Sequence, residues 1–120
     1  METLYNRIGS DQLKKLVEAF YEFIVNGSTI SHLFDSDINL VKEKQFMFLS
    51  QFLGGPQLYS EKYGHPKMRA RHLPHAIDES TKEEWLRCMK KAIDTLELDN
   101  DLGEALYNCF PQVAQHMVNR

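Results

Sequence analysis

The basic stretch Met68-Arg69-Ala70-Arg71-His72-Leu73-Pro74 carries an imidazole, and thirteen residues after it stands Trp85, the single tryptophan. Upstream, Tyr21 and Gln45 fall on helix-like stretches that are otherwise apolar. An imidazole nitrogen is a ligand for a transition metal. A phenol, a carboxamide and an indole are hydrogen-bond donors, and an apolar interior accommodates them only where something accepts from them.

These residues need elements to position them, and the periodicity predicts an almost wholly helical chain. After the candidate cap in Gly9-Ser10-Asp11, Leu13, Leu16, Val17, Phe20 and Ile24 recur at three- and four-residue spacing. Asn26-Gly27 is expected to close that helix in the left-handed way, followed by a short helical turn over Ser31 to Phe34. The next helix is expected from Ile38 to Leu53. At about 100° per residue, Val41, Gln45, Phe48 and Phe52 form one stripe, with Phe46, Leu49 and Leu53 in a second beside it. So broad an apolar arc has to be covered from two directions. In a chain of 120 residues the second cover need not be polypeptide.

Gly54-Gly55-Pro56 stops this helix, and a loop from Tyr59 to Gly64 leads to His65-Pro66. Pro66 suits the first turn of a short helix limited by Pro74. Ser80-Thr81-Lys82-Glu83 matches a capping box for a helix with Trp85, Met89, Ala92, Ile93 and Leu96 on one face. Asp99-Asn100-Asp101 opens the last helix, with Leu102, Leu106, Cys109, Val113 and Met117 inward. Pro111 removes a backbone donor there and is expected to kink or split it.

Each polar residue has an ordinary explanation when taken singly. Of the five histidines, His75 follows Pro74 in a connection, His65 sits at a helix start, and His32 and His116 suit the surface. Tyr21 alone fits a boundary tyrosine whose hydroxyl reaches water. Gln45 alone fits an amide bonded to a backbone carbonyl, and Trp85 alone fits a core indole. Together they project from separate helices, and a ligand oxygen at a common centre would satisfy all three. With His72 as the metal ligand, the set suits an iron porphyrin pocket. His72 and His75 lack the further ligands of a zinc site. No strand–turn–helix elbow frames a serine, and Gly54-Gly55-Pro56 lacks the Lys-Ser/Thr of a phosphate loop. The paired Glu83-Glu84 lies at a helix start, where the dipole accounts for it.

Composition narrows the classes. A net charge of -3 leaves no basic surplus for phosphates, so nucleic acid is not an expected partner. Lys67, Arg69 and Arg71 form a local basic cluster, read as a solvated face or a site for one small anion. Cys88 and Cys109 lie far apart in helical segments, as reduced packing thiols do. No segment has the uninterrupted apolar length of a membrane helix, and no signal peptide opens the sequence, so no membrane partner and a cytoplasmic location are expected. With 42% hydrophobic and 26% charged residues, the chain is read as one domain over residues 1–120.

Phe20-Tyr21, Phe34, Lys44-Gln45, Phe48-Leu49, Phe52-Leu53-Gly54-Gly55-Pro56, Tyr63-Gly64-His65-Pro66, Met68-Arg69-Ala70-Arg71-His72, Trp85 and His116-Met117-Val118-Asn119 follow one another in an order specific to one family. From about Leu4 onward, the chain resembles a bacterial truncated haemoglobin of group II. The resemblance implies an all-α, globin-like fold, a truncated two-over-two helical sandwich around haem b, with His72 as proximal iron ligand. It puts Tyr21, Gln45 and Trp85 on the distal side. It gives Val41 the position where vertebrate-type globins carry a distal histidine. Phe34, Phe48, Met68 and Ile77 would pack on the porphyrin, and Lys44, Tyr59 and Arg71 would lie near its propionates.

The implied function is binding of dioxygen and related diatomic ligands with slow release. Each distal donor would contribute on the order of 1–3 kcal/mol in a sheltered site. A peroxidase-like or nitric-oxide-consuming enzyme could use the same pocket with a separate reductase. A cofactor-free helical module is the third reading, and it predicts a colourless protein. A monomer or weak homodimer is expected.

Overall fold

The computed structural model describes residues 2–34, 37–67, 70, 72 and 75–120, and among these it contains helices and connections but no strand. The helices are α1 (Leu4–Ile8), α2 (Ser10–Gly27), a 3-10 turn (Ser31–Phe34), α3 (Ile38–Phe52), α4 (Leu58–Tyr63), α5 (Glu79–Thr95), α6 (Asn100–Tyr107) and α7 (Pro111–Met117). Ala70 and His72 are helical as well. α2 is central: it packs on both α3 and α5, and α5 packs in turn on α6 and α7. Two helices thus face two others, the two-over-two arrangement that the resemblance to truncated haemoglobins implies.

The apolar spacing of α2 is what seals the core. Leu13, Leu16, Phe20 and Ile24 are wholly buried, and Val17 nearly so. Cys88, Met89, Ala92 and Ile93 of α5 meet them from the other side. Both thiols are free, and burial pushes both up in pKa, so they act as packing groups.

Several local expectations are corrected. α2 does end at Gly27, but without a left-handed backbone; its C-cap is the extended Ser28, whose hydroxyl donates to Ile24 O at 2.6 Å. The stretch expected as a loop from Tyr59 to Gly64 contains α4. Its six residues are too few to show a period, and Gln51 secures them with two 2.9 Å bonds to Ser60. Pro66 opens no helix: it and Lys67, at φ 48°, stand outside helical structure. The capping box at Ser80 loses to Asp78, whose carboxylate accepts from Thr81 N at 2.8 Å and Thr81 Oγ1 at 2.9 Å. Pro111 splits the last helix, ending α6 at Tyr107 and taking the first position of α7, where its missing N–H costs nothing.

Two long-range devices fix the ends of α2 and α3. Tyr5 N donates to Leu53 O at 3.0 Å and brings α1 onto the glycine pair. A Cβ at Gly55 would lie 2.5 Å from Tyr5 Cγ, so this glycine is a close-approach residue as well as a helix stop. At the other end, Arg87 grips Glu84 through Nε at 2.6 Å and Nη2 at 2.8 Å, and its Nη2 also reaches Gly27 O at 2.8 Å. Glu84 accepts further from Thr29 N at 3.0 Å. This network ties the end of α2 to α5.

Two outcomes follow from these devices. Gly55→Ala should lower stability by about 1–3 kcal/mol through overpacking. In chemical denaturation, combining it with Tyr5→Ala should remove most of that penalty; additive losses would contradict the contact. The Arg87 guanidinium, and secondarily the Thr29 amide, hold the Glu84 carboxyl at about 2, below the ordinary 4.5. A depressed carboxylate stabilises fully above its unfolded pKa and loses that contribution as pH falls through its folded one. The melting temperature of Glu84→Gln should therefore approach that of the parent between pH 4.5 and 2. A constant gap across that range would count against the clamp.

Candidate functional site

Between α2 and α3 on one side and α5 and α7 on the other lies a cavity of about 380 Å³. α3 supplies its longest wall. Val41, Gln45, Phe48 and Phe52 face this space and are half-buried; Leu49 of the neighbouring stripe also borders it but is 1% exposed, and Leu53 is 4% exposed. Tyr21 comes from α2, Trp85 from α5, and Val113 and Met117 from α7. Phe34, Ile77, His72 and His75 complete the walls named here.

Of the residues singled out from the sequence, Tyr21, Val41, Gln45, Trp85, Phe34, Lys44, Phe48, Ile77 and His72 all line this one cavity. Tyr59 is not on its wall; it is buried behind Phe48, its ring edge-on at 6.3 Å and 5.0 Å from the ring of Tyr63. Met68 and Arg71 lie outside the described residues, as does Arg69 of the basic cluster, while Lys67 is exposed. Sequence reasoning missed Lys82 and His75 as wall residues. Lys82 carried no signal, since its position depends on Gln115 of α7, which accepts from its ammonium at 2.6 Å, beside a 2.6 Å ion pair to Glu79 within α5. Val113 and Met117 were legible only as inward-facing residues.

Aromatic packing fixes the donors. The Tyr21 ring is 3% exposed and stands edge-on to Phe20 at 4.9 Å and Phe34 at 5.6 Å. Trp85 stands edge-on to Phe20 at 5.1 Å and tilts over Phe110 at 5.7 Å. Burial pushes the Tyr21 phenol well above its ordinary pKa, so it remains a neutral O–H donor. Among the described residues, the Tyr21 hydroxyl, the Gln45 amide and the Trp85 indole make no hydrogen bond to the protein, and no fully enclosed polar side-chain atom lacks a partner. The three donors therefore open onto the cavity.

On another part of the wall, His72 is helical and half-buried, and its carbonyl accepts from His75 N at 2.9 Å. Lys44 brings a cation to the wall, its ammonium 5.1 Å from the centre of the Tyr63 ring. Aromatic and aliphatic walls, an imidazole, a cation and three donors without protein acceptors fit an iron porphyrin: a broad apolar macrocycle with a metal centre and anionic side arms. Among the described residues, no group of three or more His, Cys, Asp or Glu is placed to hold a bare metal ion.

Comparison with known proteins identifies the family and the fold. A family profile described as bacterial-like globin matches residues 3–119. The chain is 42% identical over 116 residues to group 2 truncated hemoglobin YjbI of Bacillus subtilis, covering 97% of this chain and 88% of that protein. The X-ray structure of truncated oxygen-avid haemoglobin from Bacillus subtilis superposes with a TM-score of 0.93 at 42% identity, covering 98% of this chain and 100% of that one. The group II truncated hemoglobin of Bacillus anthracis gives 0.94 at 38% identity, covering 99% and 92%. Fold, cavity and sequence agree that the chain belongs to the bacterial-like globin family, as a truncated haemoglobin of group II.

Proposed function

We propose that His72 is the proximal ligand of haem b, and that Tyr21, Trp85 and Gln45 are the donors to a diatomic ligand opposite it. The chain is a haem protein that binds dioxygen and related diatomic ligands. One observation supports the residue assignment above others: three donors with no protein acceptor open onto the same cavity as an imidazole. Haem, when bound, supplies iron with a coordination position for the ligand.

The polypeptide orients, shelters and donates. Tyr21 offers a proton-bearing oxygen that stays protonated because it is buried. The Trp85 indole can only donate, and the Gln45 amide adds a third donor. Val41 has no donor, so hydrogen bonding to the ligand falls to these three. Phe34, Phe48 and Ile77 supply apolar walls that keep water from the site, with Met68 assigned the same role. Lys44 and Arg71 are assigned to the carboxylate side arms, guanidinium being the better geometric match. Tyr59, one layer behind Phe48, supports that wall and is not assigned a direct contact.

One globin domain over residues 1–120 is consistent with the buried cluster that runs from α1 to Phe110. A monomer or weak homodimer fits the surface, where Val25 and Leu40 are the exposed large hydrophobics among the described residues. Any sustained redox turnover would draw on a separate reductase.

Two measurements test the assignments. The purified protein should show a strong Soret band, and His72→Gly should abolish or greatly weaken it. An unaltered haem spectrum in that variant would reject His72 as ligand. Removing one distal donor, in Tyr21→Phe or Trp85→Phe, should cost about 1–3 kcal/mol and so speed dioxygen dissociation by roughly 5- to 150-fold. Stopped-flow traces unchanged in both variants would refute the distal assignment.

A further inference from the structure

From His75 a non-helical connection reaches α5 at Glu79, and one residue from beyond α7 holds both that connection and the His72 carbonyl. The Asn119 side chain donates through Nδ2 to His72 O at 3.2 Å and to His75 O at 3.0 Å. Its Oδ1 accepts from Ile77 N at 3.1 Å. The backbone adds Asn119 N to Ile77 O at 2.8 Å and Arg120 N to the same oxygen at 3.2 Å. Only an amide has two donors and an acceptor on one planar group, and here all three are used in the one orientation that satisfies them. An aspartate of the same shape would lose both donations.

We infer that Asn119 is a positioning residue for His72, a reading that rests on His72 being the iron ligand. The His72 carbonyl takes two donors, Asn119 Nδ2 and His75 N, so the backbone that carries the imidazole is pinned from within its own segment and from the far end of the chain. With the backbone held, the ring retains only its two side-chain torsions. Its reach into the cavity is then set by a contact 47 residues away in sequence. Ile77, another cavity wall, is held by the same amide, so the clamp registers the imidazole and an apolar wall together. A ligand three residues from the non-helical His75 would otherwise sample a wider set of positions.

The test compares Asn119→Asp and Asn119→Ala with the parent, both loaded with haem. Resonance Raman of the reduced, unliganded protein reads the iron–imidazole stretch, haem transfer to an excess of an acceptor apoprotein reads retention, and amide exchange reads Ile77. Asn119→Asp keeps the shape and the acceptor for Ile77 N, so it carries the test should Asn119→Ala not fold. In both variants the iron–imidazole band should move or broaden, and haem transfer should quicken roughly tenfold or more, as expected for losing the two Nδ2 hydrogen bonds that both variants remove. Ile77 exchange should quicken in Asn119→Ala and stay slow in Asn119→Asp. An unmoved band with unaltered transfer, in a series where His72→Gly removes the band, would overturn the clamp while leaving the ligand assignment standing.

Discussion

Phe48 and Leu49 are neighbours on α3 and both border an opening of about 380 Å³, but Leu49 is 1% exposed while Phe48 is only half-buried. The cavity is partly open, and its wall is mostly apolar with a few polar and charged side chains. Val41, Phe48 and Phe52 stay half-buried beside it. Haem b, the cofactor of this family, would cover that apolar surface and so complete the core that side chains leave unfinished. Function and stability share one interaction here, because what fills the space also carries the chemistry.

The remaining architecture keeps the walls apart and in register. α2 holds the middle, with Phe20 touching both Tyr21 and Trp85, so one ring sets the spacing of two donors. The Glu84–Arg87 network stops the end of α2 from drifting off α5, and the Gly55 approach lets α1 seat against the end of α3. Asn119 does the equivalent for the His72 connection. The bonds from Tyr5 to Leu53, from Arg87 to Gly27 and from Asn119 to His72 join segments distant in sequence.

That distribution explains what could be read from the chain. Val41, Gln45, Phe48 and Phe52 were legible as a stripe because helical periodicity is a local property, and the over-wide apolar arc of α3 announced a second cover. Tyr21 and Trp85 were legible because a donor on an apolar face is chemically out of place. The splitting at Pro111 followed from a missing N–H. What could not be read was decided by partners far along the chain. α4 is too short for a period and is secured by Gln51 from the preceding helix. Asp78 outcompetes a plausible box at Ser80 through the loop geometry that presents it. Lys82 reaches the wall through Gln115, 33 residues later, and Asn119 entered the sequence reading only as part of a family pattern, without a role.

Trp85 is the only tryptophan and lines the cavity, so its fluorescence reports directly on whether the space is filled by haem. Titrating haem into the haem-free protein while following that emission is the most direct measurement of the central claim. Deep quenching with a sharp break at one equivalent is the expected result. A shallow, unsaturating decline with no break would show that haem does not occupy the space between Trp85 and His72.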